Sequence, residues 1–148
     1  MLPGLFLFSG FFEVQACGQP GVGPELDKPA SVMMVLSPRM PYALKEWPRM
    51  KRVAEGAGFK VMGVRDPRVP YEEWSVAVEA AGEPELLHAP AIDESEAAAL
   101  GALNHSPASL VIRCGQAHPW PVLGVMPDGP WLAVLRAREA QLKSTTCC

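Results

Sequence analysis

Four cysteines, Cys17, Cys114, Cys147 and Cys148, are the side chains of this 148-residue chain best suited to chemistry. That chemistry is thiol–disulfide exchange or the binding of a soft metal. Their spacing favours neither. Four cysteines allow three full pairings, and sequence does not choose among them. Cys114 ends an apolar run, where the plain reading is a buried, inert thiol. The sharper reading makes it a lone redox cysteine. It is disfavoured, because Arg113 would point to the opposite face and no histidine is clearly placed beside Cys114. Cys147 and Cys148 lie on a short tail. Adjacent cysteines close only a strained ring, so free thiols or intermolecular pairing are expected, and two soft ligands alone make a weak metal site. His88, His105 and His118 are scattered without metal-ligand spacing, so no metal site and no cofactor are expected. Of the three, His105 reads as a loop residue close to Pro107 in sequence. There is no Gly-rich phosphate loop and no Gly-x-Ser-x-Gly elbow, and Ser37 has no paired base.

The elements that must position these residues alternate. Residues 32–36 (Val-Met-Met-Val-Leu) form a continuous apolar run of strand length, suited to a central strand covered on both faces. Residues 42–56 read as a helix, with Leu44, Trp47, Met50, Val53 and Ala54 at helical spacing and a kink expected at Pro48. Residues 59–64 read as a second strand and residues 72–81 as a second helix. Residues 86–92 read as extended. Residues 93–103 read as a helix capped by Asp93 or Ser95. Residues 109–114 form a third strand. Residues 120–126 form a fourth, placed at an edge by Pro119 and Pro121. Asp128-Gly129-Pro130 opens a last helix over 131–142. Strands joined through helices should be parallel neighbours, and the last two should be antiparallel. Trp47 and Trp74 should anchor the core, while Trp120 and Trp131, beside a Pro-rich turn, should be partly exposed.

The amino terminus has a different character. Residues 2–12 are almost wholly apolar, no Lys or Arg precedes Lys28, and Val14-Gln15-Ala16 stands just before Cys17. A short apolar run, a small residue and a cysteine resemble a bacterial lipoprotein signal, although Gln15 and the missing positive charge depart from that pattern. The expected organisation is an export segment over 1–16, a Gly/Pro-rich linker over 17–30, a folded domain over 31–142 and a Cys-containing tail over 143–148. The expected location is periplasmic or exported, with lipidation of Cys17 as the route to peripheral membrane attachment. With a formal net charge of −3 and no basic stripe, nucleic acid is not an expected partner. The cluster Lys45, Arg49, Lys51 and Arg52 reads as the solvated side of a helix.

Three features set this pattern beside a known family. The first is the strand-to-helix junction Ser37-Pro38-Arg39-Met40-Pro41-Tyr42-Ala43. The second is Glu46-Trp47-Pro48. The third is Ser106-Pro107 just before a strand, followed by a Gly turn, a strand and a closing helix. Together they resemble the thioredoxin fold, and more narrowly the exported, membrane-associated thioredoxin-like proteins of thiol reduction and cytochrome maturation, over about residues 31–142. The fold so implied is α/β, a mixed four- to five-stranded sheet flanked by helices on both faces. The resemblance implies a cis Ser106–Pro107 bond facing the junction. It also puts Met40 and Ala43 where the family has its two cysteines. Neither side chain forms a thiolate, and exchange requires one. Hence the expectation is a redox-inactive module that binds a protein partner through the groove between Ser37, Met40, Pro41, Tyr42 and Ala43 on one side and Ser106 and Pro107 on the other. The alternative is an oxidoreductase using Cys114 or the Cys147-Cys148 tail.

Overall fold

The computed structural model describes residues 29–145. The export segment, Cys17, most of the linker, Cys147 and Cys148 lie outside the described residues. The elements run β1 (Ser31–Leu36), α1 (Ala43–Gly56), β2 (Lys60–Arg65), α2 (Tyr71–Ala81), a 3-10 helix (Pro84–His88), α3 (Glu94–Ala99), β3 (Ala108–Arg113), β4 (Gln116–Ala117), β5 (Val122–Leu123) and α4 (Asp128–Thr145). They build one five-stranded mixed sheet in the order β2-β1-β3-β4, with β5 also on β3.

β1 explains the two-layer core. Its alternate side chains Val32, Met34 and Leu36 join Trp47, Met50, Trp131 and Leu135 in one apolar cluster. Val35 joins Val64, Ala97 and Leu110 in the other. A strand buried on both faces needs apolar residues at every position, as the Val-Met-Met-Val-Leu run has. Trp47 and Trp74 anchor the larger cluster at 2% and 0% exposure. Trp131 is also fully buried, against the expectation of partial exposure; α4 begins at Asp128, earlier than expected, and turns the indole inward. Trp120 is exposed, as its turn position suggests. α1 continues through Pro48. Ala30 packs against the folded body: it is buried and its N–H donates to Glu139 Oε2 at 3.3 Å.

Four expectations are corrected. β3 is antiparallel to β1, not parallel. The chain comes back to the carboxyl end of β2 when Ala91 bridges Arg65 in parallel. From there α3, six residues long, rises only about 9 Å. It cannot carry the chain back to the start of the sheet, so β3 begins beside Val35 and runs the other way. The stretch read as extended over 86–92 is a 3-10 helix over its first half. Packing decides this: Leu86 is driven under Gly63 and Trp47, and the Trp74 indole N–H donates to its carbonyl at 2.8 Å. A Cβ at Gly63 would stand 2.7 Å from Leu86 Cδ2 and 3.1 Å from the Trp47 ring, so a larger residue there would push those side chains aside. The helix read over 93–103 is only α3; the Asp93 carboxylate accepts from the Glu96 N–H as its cap, and Gly101 turns left-handed behind it at φ 73°. Of the fourth strand read over 120–126 only β5 remains, since Pro121 supplies no ladder donor, and a separate two-residue β4 forms at Gln116–Ala117.

Candidate functional site

The groove forms beyond the carboxyl end of β1. The Ser106–Pro107 peptide is cis, as expected. Ser106 sets its position: its hydroxyl accepts from the Ser37 N–H at 2.9 Å and donates to the Val35 carbonyl at 3.3 Å. One buried side chain therefore clamps the loop before β3 to the end of β1. The Pro107 carbonyl accepts from the Gly124 N–H at 2.8 Å, which ties the far side of the loop to the residue after β5. Gly124 lies at φ 83°, and a Cβ there would meet the His105 ring at 3.0 Å.

Across the groove, residues 37–43 form two successive turns. The Met40 N–H donates to the Ser37 carbonyl at 3.2 Å, and the Ala43 N–H to the Met40 carbonyl at 3.1 Å. α1 starts there without a side-chain cap. Ala43 is buried, Met40 half-buried, and Tyr42 62% exposed. Two clefts meet at Met40. One, about 230 Å³, is polar and includes Ser37, Arg39, Asp66, Arg68, His105 and Ser106. The other, about 430 Å³, is mainly apolar and runs over Pro38, Pro41, Leu44, Pro48 and Ala77 toward α2. Ser37, Met40 and Ser106 thus share one cleft, and Met40 and Pro41 share the second.

Asp66 and Arg68 are the groove residues that sequence reasoning missed. Asp66 is 4% exposed. Its Oδ1 accepts from the Arg68 backbone N–H at 2.9 Å and from Nε at 3.0 Å, and its Oδ2 accepts from Nη2 at 2.7 Å. Burial works to raise the Asp66 carboxyl, but the Arg68 hydrogen bonds and charge, aided by Arg39, outweigh it and hold the group below its usual range. Arg39 forks onto Glu73 at 2.9 and 2.8 Å. The available signal was Asp66-Pro67-Arg68 directly after an apolar strand, since ligand crevices lie outside the carboxyl ends of such strands.

The cysteines are not brought to this groove. Cys114 follows the opposite end of β3, at φ 53°, exposed, beside Pro29 and Ser31. It is disulfide-bonded, so the reading of a buried, inert thiol is corrected. Cys17, Cys147 and Cys148 fall outside the described residues. Among the described residues no group of His, Cys, Asp and Glu has the geometry to hold a metal, and no helix is long and apolar enough to cross a membrane. His105 does line the groove, whereas His88 borders a separate cleft with Trp47.

No family model matches the chain, and no curated protein matches it. A solved structure does: the solution structure of a candidate thioredoxin from Neisseria meningitidis, with a TM-score of 0.50, 19% identity and 78% of each chain covered. At that identity the likeness speaks for the fold alone. The chain has a thioredoxin-like fold.

Proposed function

We propose that this protein is a redox-inactive thioredoxin-like module of the cell envelope that holds a protein partner in its groove. One observation carries the reading. The cis Ser106–Pro107 bond and the turn at the start of α1 are both present, while the two positions of that turn matching the cysteines of the resembled family are Met40 and Ala43. A thioether and a methyl group cannot exchange disulfides. Met40 lends both clefts an apolar wall, and Tyr42, Leu123 and Val125, at 62%, 42% and 42% exposure, give them apolar neighbours. Exposed apolar groups beside a polar cleft suit an extended peptide better than a small metabolite. The apolar segment before Cys17 supports export, with Cys17 as the lipidated residue.

Two measurements test this. Insulin reduction with dithiothreitol, followed by turbidity, should run no faster with the protein than without it. Capture from an envelope extract should lose its bound partner when Tyr42→Ala replaces the wild type; an unchanged set of partners would count against the groove. The disulfide at Cys114 keeps the oxidoreductase alternative in view. Reductase activity abolished by Cys114→Ser, or by deletion of the Cys147-Cys148 tail, would favour it. The mass of the mature protein reads cleavage before Cys17 and any attached lipid.

A further inference from the structure

Cys114 is disulfide-bonded, and it is the one cysteine among the described residues. Within the chain its partner is therefore Cys17, Cys147 or Cys148. The place of Cys114 in the fold separates these. β3 and β4 meet at a two-residue loop, because Arg113 pairs with Gln116. Both loop residues are left-handed, Cys114 at φ 53° and Gly115 at φ 74°. That is the type I′ hairpin turn, whose first position normally holds Asn, Asp or Gly. A cysteine there carries backbone strain that only a firmly held surrounding sustains.

α4 runs toward the same hairpin. It follows β5, which pairs with Ala108 and Ser109 at the beginning of β3. Its later residues lie alongside the other end of that strand. Gln141 Oε1 contacts His118 Nε2 at 2.6 Å, and the His118 N–H donates to the Val111 carbonyl at 2.8 Å. Glu139 Oε2 accepts from the Ala30 N–H at 3.3 Å. Ala30 precedes Ser31, which pairs with Ile112, so it lies level with Arg113. From Glu139 to Thr145 the helix advances about 9 Å further, which brings its end to the level of the hairpin. Leu142, at 3% exposure, packs that last turn on the larger apolar cluster. The Ser144 and Thr145 hydroxyls donate to the Gln141 carbonyl at 2.7 and 3.2 Å.

We propose that the disulfide joins Cys114 to the Cys147-Cys148 pair and latches the end of α4 to the β3–β4 hairpin. The two or three residues past Thr145 span about 7–10 Å when extended, enough to cross from the last turn to the hairpin. Cys17 instead stands 12 residues before Pro29, in a Gly/Pro-rich stretch. Closure falls with roughly the −3/2 power of the connecting length, which favours the tail over Cys17 by about tenfold. The pairing of neighbours has a second consequence. Adjacent cysteines close only a strained ring, so one thiol is left beside the bond. As a thiolate it attacks the Cys114 sulfur: its own bond to Cys114 forms, the bond from its neighbour breaks, and the neighbour leaves as the thiolate. No oxidant or reductant is consumed. The latch is therefore shared between Cys147 and Cys148. Neither the groove nor a lipid on Cys17 enters this assignment, so the two readings fail separately.

The test maps the bond in the full oxidised chain, alkylated with iodoacetamide without reduction and cut with trypsin. Cuts after Arg113 and Lys143 put Cys114 and residues 144–148 on separate peptides, and Cys17 lies on a third that ends no later than Arg39. The Cys114 peptide should be joined to residues 144–148, with one alkylated thiol on the latter. Cys147→Ser and Cys148→Ser should each keep the link through the remaining neighbour. Reduction of the wild type should speed amide exchange at Leu142–Thr145 and leave residues 43–47 unchanged. Cys114 found alkylated, joined to the Cys17 peptide or joined to a second chain would overturn the proposal. So would a link lost in either single variant, or amide exchange at the end of α4 that reduction does not alter.

Discussion

At one end β3 begins behind a cis peptide, clamped by Ser106 to β1 and held by Gly124 on its far side. At the other end the chain leaves β3 through Cys114, exposed, left-handed and disulfide-bonded. The first end has an enclosing groove and no thiol at positions 40 and 43. The second has the sulfur, in a separate cleft of about 280 Å³ with Pro29, Ser31 and Lys60. The difference separates two things that sequence motifs usually present together. The conformation of the groove is held by buried hydrogen bonds and packing, which need no thiols.

The comparison can be broken most sharply by restoring sulfur to the first end. The double variant Met40→Cys, Ala43→Cys should gain insulin reductase activity over wild type. A thiol at the start of α1 feels the helix N-terminus, which raises its thiolate fraction at pH 7 roughly tenfold over a free cysteine. An inert double variant would mean the groove is not the site of a lost dithiol. Cys114→Ser probes the other end. Losing a disulfide costs about 2–4 kcal/mol in chemical denaturation, and groove binding should be unaffected. Ser106→Ala removes the clamp and strands the buried Ser37 N–H, at about 1–3 kcal/mol, with weaker partner capture as well. The smallest effect is pH-dependent. Asp66 is depressed in the folded state, so its stabilisation is fully present above the ordinary aspartate range near pH 4 and is lost as pH falls through its lower folded value. Urea melts of wild type should therefore weaken more steeply below pH 4 than those of Asp66→Asn; identical profiles would remove Asp66 from the account.

Much of the architecture was legible because it rests on local pattern. The Val-Met-Met-Val-Leu run, the helical spacing of Leu44, Trp47 and Met50, and the Ser106-Pro107 break each sit within a few residues. Positions 37–43 and 106–107 came instead from the resemblance to the thioredoxin fold, which sets a strand-to-helix junction against a proline before a strand. Asp66 and Arg68 were not, because a charged turn after a strand looks the same whether it faces solvent or a cleft. The 3-10 helix over Pro84–His88 escaped for a related reason: its shape answers to Trp74 and Gly63, both distant in sequence.

The sequence by itself determined the two-sided burial of β1, the alternation of strands with helices and the absence of thiols at positions 40 and 43, since each follows from side-chain type and short-range periodicity. Only the tertiary structure decided that β3 runs antiparallel to β1, that Asp66 lies under the groove and that Cys114 faces away from it. Those outcomes depend on how far a six-residue helix can carry the chain and on which buried groups find hydrogen-bond partners across the sheet, and neither is written in any local stretch.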